Sequence, residues 1–70
     1  MFLKQKFYLN GQKYCIYKPL FLDRLLNYFN YHSSLYIIEY NNKICKHEEW
    51  FYIKIQNDDK IEIITIVGGG

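Results

Sequence analysis

The dipeptide Asn10-Gly11 constrains this chain more than any other feature. A type I′ turn needs positive φ at both central positions, and Asn-Gly supplies them at least cost. The flanking residues fit the two arms of a hairpin. Phe7 and Leu9 alternate with Lys6 and Tyr8 over Lys6 to Leu9, the pattern of a half-buried strand. Lys13 to Tyr17, rich in Tyr and Ile, reads as the returning strand. Pro19 ends it, because proline cannot donate to a ladder. From there the period changes. Leu22, Leu25, Leu26 and Phe29 stand at i, i+3, i+4 and i+7, one stripe of an amphipathic helix spanning roughly residues 20–30. Asp23 sits in its first turn, where negative charge suits the helix dipole, and Asn30 is a suitable C-terminal stop. A helix this short must lie on a sheet to persist.

The second half returns to strands. Leu35 to Tyr40 is the third, Asn41-Asn42 a turn, and Lys43 to Cys45 a short fourth. His47 to Trp50 reads as a helical turn or bend. Trp50 to Ile55 is ambiguous between strand and turn. Gln56-Asn57-Asp58-Asp59 is a polar turn, and Lys60 to Val67 is the last strand. That strand is apolar on both faces: Ile61 and Ile63 share one with the methyl of Thr65, and Ile64 and Ile66 share the other with Glu62. One helix covers only one sheet face. The Leu-rich helix is expected to claim Ile61 and Ile63, burying them with Leu25, Leu26 and Phe29. Ile64 and Ile66 would then form an exposed apolar patch, a marker of partner docking. The order implies an α+β domain: a β-grasp (ubiquitin-like) mixed sheet of four to five strands, one helix on one face, and the final strand beside the first. The expected division is a β-grasp domain over 1–67 and a flexible glycine tail over 68–70.

Composition excludes several classes. Seventy residues hold one small core. No apolar run approaches the ~20 residues of a membrane span, and the N-terminus lacks the features of a secretory signal or transit peptide. A net charge of +2 is too balanced to indicate nucleic acid. The fourteen aromatics among lysines fill strand faces in any small sheet protein, so a nucleic-acid binder is a weak competitor. Phe, Tyr, Met, Ile, Asn and Lys make up 38 of 70 residues, and alanine is absent. These are the residues of AT-rich codons, which points to a plastid or an AT-rich bacterium. Cys15 and Cys45 lie thirty apart, and with His32 and His47 they lack the paired spacing of a metal site. They are expected to be buried or half-buried, reduced thiols that carry no sulfur. Glu48 and Glu49 are neighbours beside Trp50 on a solvated bend, and no catalytic constellation is visible.

Three of the four glycines, Gly68, Gly69 and Gly70, close the chain. Glycine has the smallest cross-section a peptide can offer and takes φ of either sign. Three extended residues project roughly 10 Å. Such a tail can thread a channel closed to side chains and carry its carboxylate into another protein's active site.

Tail, strand order and the Trp50 region together resemble the ThiS family of sulfur carrier proteins in thiamine biosynthesis. The residues carrying the resemblance are Leu9-Asn10-Gly11, the pair Leu25-Leu26, Ile37 to Asn42, His47-Glu48-Glu49-Trp50, and the run from Asn57 through Ile61 to Gly70. The chain departs from the family pattern where Asp58 replaces a turn glycine, where Phe21 stands at the helix cap in place of Thr, and where Lys46-His47 precede the Trp. The loss of the glycine requires Asn57 or Asp58 to adopt the left-handed conformation. The resemblance implies no enzyme and no bound cofactor, but a protein co-substrate. A ThiF-type adenylyltransferase would spend ATP to adenylate Gly70. A persulfide donor would convert the adenylate to a thiocarboxylate, and a ThiG-type thiazole synthase would take the sulfur. Gly68 and Gly69 would thread the partner's active site, and Ile64 and Ile66 would dock. No nucleic acid, membrane or metal is implied. The location would be the plastid (chloroplast) stroma if organelle-encoded, otherwise the bacterial cytoplasm. Two other readings share the fold: the small subunit of molybdopterin synthase, and a ubiquitin-like interaction module whose tail is never activated.

Overall fold

The computed structural model describes residues 4–31 and 35–65. Its strands are β1 (Gln5–Leu9), β2 (Gln12–Ile16), β3 (Tyr36–Tyr40), β4 (Lys43–Cys45) and β5 (Asp59–Thr65), with one helix, α1 (Leu22–Tyr28), and a 3₁₀ turn at His47–Glu49. They form one five-stranded sheet in the order β2-β1-β5-β3-β4. The last strand lies in the centre, parallel to β1 and antiparallel to β3, as the β-grasp reading requires.

Both hairpin turns take the positive φ their sequences allow. Asn10 and Gly11 have φ of 52° and 79°, and Asn41 and Asn42 have 53° and 70°. At the turn before β5, Asp58 carries the left-handed conformation at φ 70°. It accepts this conformation because a short polar side chain tolerates it.

Helix α1 is shorter than the expected span, and its ends explain why. Phe21 is extended and bridges Lys54 of the returning chain, so the helix begins only at Leu22. No side chain caps it. Two orphan donors of the first turn are instead met by backbone from afar: Leu22 N–H donates to Ile53 C=O at 2.8 Å and Asp23 N–H to Trp50 C=O at 3.1 Å. The segment 50–55, ambiguous in sequence, thus replaces the missing cap. At the other end Asn30, with φ 64°, stops the helix. Tyr31 N–H donates to Leu26 C=O at 2.9 Å and Asn30 N–H to Asn27 C=O at 3.0 Å, the bond pair of a Schellman ending.

The core gathers Leu22, Leu25 and Leu26 of the helix with Phe7, Leu9, Ile38 and Ile61 of the sheet, and with Cys45, Trp50 and Ile55 from the second half. Phe29 and Ile63, expected to be buried, are only half-buried. Phe29 caps the helix at the rim of the sheet, and Ile63 lies near the end of β5. The thiols also divide. Cys45 is buried, and burial pushes it up to about 11. Cys15 is exposed, because Tyr14 and Ile16 pack on the core side and alternation turns Cys15 outward.

Candidate functional site

The expected sulfur-bearing residue Gly70, the threading residues Gly68 and Gly69, and Ile66 of the docking patch all lie outside the described residues. The site described is therefore the platform that presents them, strand β5 and its surroundings.

Its root is held on three sides. At the start, Asp59 is 6% exposed, yet it carries a carboxylate. That carboxylate accepts from the Tyr40 hydroxyl, from Asn41 Nδ2 at 3.0 Å and from Gln56 N–H at 2.6 Å. Burial, reinforced by the bond to Asp59, holds the Tyr40 phenol well above its ordinary range. Asn41 also reaches β5 with its oxygen, which accepts from Lys60 N–H at 2.8 Å. Asn57 Oδ1 accepts from Lys6 N–H at 2.9 Å, and Lys6 pairs with Asp58 at 3.4 Å across exposed surface. The polar turn is thus tied to both neighbours of β5.

Further along, β1 turns away at Asn10 while β5 continues. The parallel ladder ends at Leu9 opposite Ile61. Asn10 extends it by one residue: its N–H donates to Ile61 C=O at 2.9 Å and its Oδ1 accepts from Ile63 N–H at 2.8 Å. On the other side β3 pairs as far as Tyr36 opposite Thr65. Strand β5 is therefore held to the last described residue, and the glycine tail follows after Ile66 and Val67.

The two faces of β5 differ as expected for the described residues. Ile61 is fully buried under the helix and Ile64 is 41% exposed on the opposite face. Ile37, directly opposite Ile64 on β3, is exposed as well, which enlarges the apolar patch. Beside it Glu39 and Glu62 also stand directly opposite one another. Like charges in register are unfavourable, so this face combines an apolar pair with an acidic pair at the root of the tail. Sequence reading missed Ile37, Asn10 and Asp59 in these roles. Alternation along Tyr36 to Tyr40 already turns Ile37 away from buried Ile38, whereas the Asn10 and Asp59 contacts depend on strand pairings remote in sequence. Among the described residues no group of three or more His, Cys, Asp or Glu is placed to hold a metal ion, and no helix is long and apolar enough to cross a membrane.

Replacing Asp59 by Asn tests the root. Asn keeps one acceptor oxygen but turns an amide donor towards groups that already donate. The expected cost is about 1–3 kcal/mol, the scale for leaving partly buried polar groups unmatched, read as a lower urea midpoint at unchanged m.

Residues 7–70 match the model of the ThiS family. Among curated proteins, the chain is 55% identical over 64 residues to uncharacterized protein ycf40 of Trieres chinensis, covering 91% of this chain and 88% of that protein. It is 40% identical over 62 residues to uncharacterized protein ycf40 of Porphyra purpurea, covering 89% of this chain and 87% of that one. Among solved structures, thiamine biosynthesis protein ThiS from Geobacter metallireducens superposes with a TM-score of 0.78 at 19% identity, over 94% of this chain and 100% of that one. The fold shared with that structure is the β-grasp described above. The family match extends through the glycine tail, and this chain belongs to the ThiS family.

Proposed function

We propose that the protein is a sulfur carrier whose C-terminal Gly70 is adenylated by a ThiF-type partner, converted to a thiocarboxylate, and used by a ThiG-type thiazole synthase in thiamine biosynthesis. The observation that carries the reading is the position of the glycines: they follow the central strand of the sheet, which is held by both neighbours, by Asn10 and by the Asp59 network. A rigid body with a thin tail suits delivery of a carboxylate. An α-carboxylate at neutral pH is ionised and resists nucleophiles, with a pKa of about 3.3–3.7. Adenylation gives it a leaving group, AMP. A persulfide sulfur then displaces AMP and, after reductive release of the donor, remains as the thiocarboxylate. ATP and persulfide belong to the partners. The protein itself supplies the docking face and the tail and acts as co-substrate, with no cofactor of its own. The AT-rich residue usage and the relatives in algae support synthesis in the plastid and action in its stroma.

Intact-protein mass after incubation with the cognate adenylyltransferase, ATP and a persulfide source tests this. Exchange of oxygen for sulfur adds roughly 16 Da. Sulfur that then appears in thiazole supports the thiamine role, whereas sulfur accepted only by a molybdopterin precursor would reassign the carrier. No mass change with a competent partner would leave only an interaction module.

The face of β5 opposite the helix is the proposed docking surface. Ile64→Glu places a third carboxylate beside Glu39 and Glu62 and removes half of the apolar pair with Ile37. The fold should hold, since Ile64 is outside the core, while affinity for the adenylyltransferase should fall by about tenfold or more. Unchanged affinity in calorimetry would remove Ile64 from the interface.

A further inference from the structure

The opposite flank of the molecule carries a feature that sulfur transfer does not use. Among the described residues, strand β2 is an edge of the sheet. The two-residue turn at Asn10-Gly11 makes Leu9 and Gln12 a hydrogen-bonded pair, so Phe7 with Tyr14 and Gln5 with Ile16 are the next two. The backbone N–H and C=O of Lys13 and Cys15 therefore point away from β1, along the open edge. Between this edge and α1 runs a groove of about 490 Å³. Tyr14 and Ile16 form one wall, Arg24 and Tyr28 the other, and Phe29 lies between them. Tyr14 and Phe29 meet edge to face at 5.6 Å, and Tyr28 and Phe29 at 5.0 Å. Tyr28 is nonetheless 79% exposed.

The charge that lines the groove is positive. Arg24 lines it, and Lys13 and Lys18 bracket the open edge. Among the described residues the one ion pair is Lys6 with Asp58, so none of these three cations is neutralised there by a salt bridge. Asp23 is the acidic neighbour on the helix. An unpaired strand edge beside an apolar trough accepts an added strand, with backbone bonds giving affinity and alternate side chains entering the trough.

We propose that the β2–α1 groove binds an extended segment of a partner protein, a short aliphatic run with acidic flanks, as an added sheet strand. The open edge supplies backbone bonds at Lys13 and Cys15, the trough takes the aliphatic side chains, and Arg24, Lys13 and Lys18 select the acids. Because β1 lies between β2 and β5, an occupant here leaves the root of the tail free. The inference does not depend on sulfur transfer.

The probe is a fluorescein-labelled, end-blocked peptide, Asp-Asp-Val-Ile-Val-Ile-Asp-Asp, titrated at low salt. Saturable anisotropy is expected, with amide NMR shifts at Lys13, Cys15, Arg24 and Tyr28. Arg24→Glu, an exposed substitution, should weaken binding about tenfold. Methylating alternate peptide amides separates strand addition from greasy adhesion: the set facing β2 should abolish binding and the other should leave it intact. This arm needs no protein variant. Equal effects of both sets, shifts confined to Ile37 and Ile64, or no saturation would overturn the proposal. So would tighter binding by a peptide of this chain's own C-terminal residues, or a β2-to-β2 dimer in sedimentation.

Discussion

Deleting Gly70 is expected to lower thiocarboxylate formation by orders of magnitude while leaving the melting temperature nearly unchanged. The deletion moves the carboxylate back by about 3.3–3.6 Å. In-line attack on ATP needs reacting atoms about 3–3.5 Å apart, so a shift of one residue removes the reacting group from range. Gly69→Val tests the same tail differently. It keeps the length, adds a branched side chain where a narrow channel should admit only backbone, and makes positive φ costly. Both positions lie beyond β5, which ends at Thr65. Stability and thiolation should therefore separate. Intact mass is the readout: wild type gains roughly 16 Da and both variants stay as free acids. A truncated chain thiolated as fast as the full one would end the sulfur-carrier reading. Groove occupation at β2 should not change this result, because the two surfaces lie on different strands.

The elements that local chemistry dictates were legible in advance. Asn10-Gly11 and Asn41-Asn42 could form tight turns in any context, and the 22/25/26/29 stripe has no use except to lie on a sheet. The place of the last strand beside the first also follows from the order of hairpin, helix and later strands. What escaped depends on residues that meet only after folding. Phe21 cannot cap a helix, and nothing local says that Trp50 and Ile53 carbonyls will do it instead. Asp59 looks like one more polar turn residue until Tyr40 and Asn41 arrive to bury it. Asn10 was read for its backbone alone, because its side-chain acceptor has work only once β5 outruns β1. Cys15 is different. Its exposure was available from alternation with Tyr14 and Ile16, and expecting both thiols to be buried or half-buried overlooked that period.

The largest effect on stability is expected from Leu26→Ala. Leu26 has no exposed surface and sits in the cluster with Phe7, Leu9, Ile38 and Ile61. Its own carbonyl accepts the Tyr31 N–H that closes the helix. The helix has seven residues and no side-chain cap, so it persists through packing rather than propensity. Truncating a core leucine costs about 2–5 kcal/mol, the upper part where the cavity cannot collapse. Here helix and sheet meet at a single interface, and collapse would require the helix to leave its bonds to Trp50 and Ile53. A domain of this size has roughly 4–10 kcal/mol to lose. The variant should therefore unfold at much lower urea, and at the upper end of the range it should be partly unfolded without denaturant. Leu35→Ala is the control: Leu35 is 53% exposed, and its loss should stay within about 0.5 kcal/mol. Thiolation of Leu26→Ala then tests whether the tail acts alone. If the partner must grip the folded body, thiolation should follow the folded fraction measured by circular dichroism and recover as a stabilising osmolyte restores it. Full thiolation of an unfolded variant would mean that the glycine tail is recognised without the sheet that presents it.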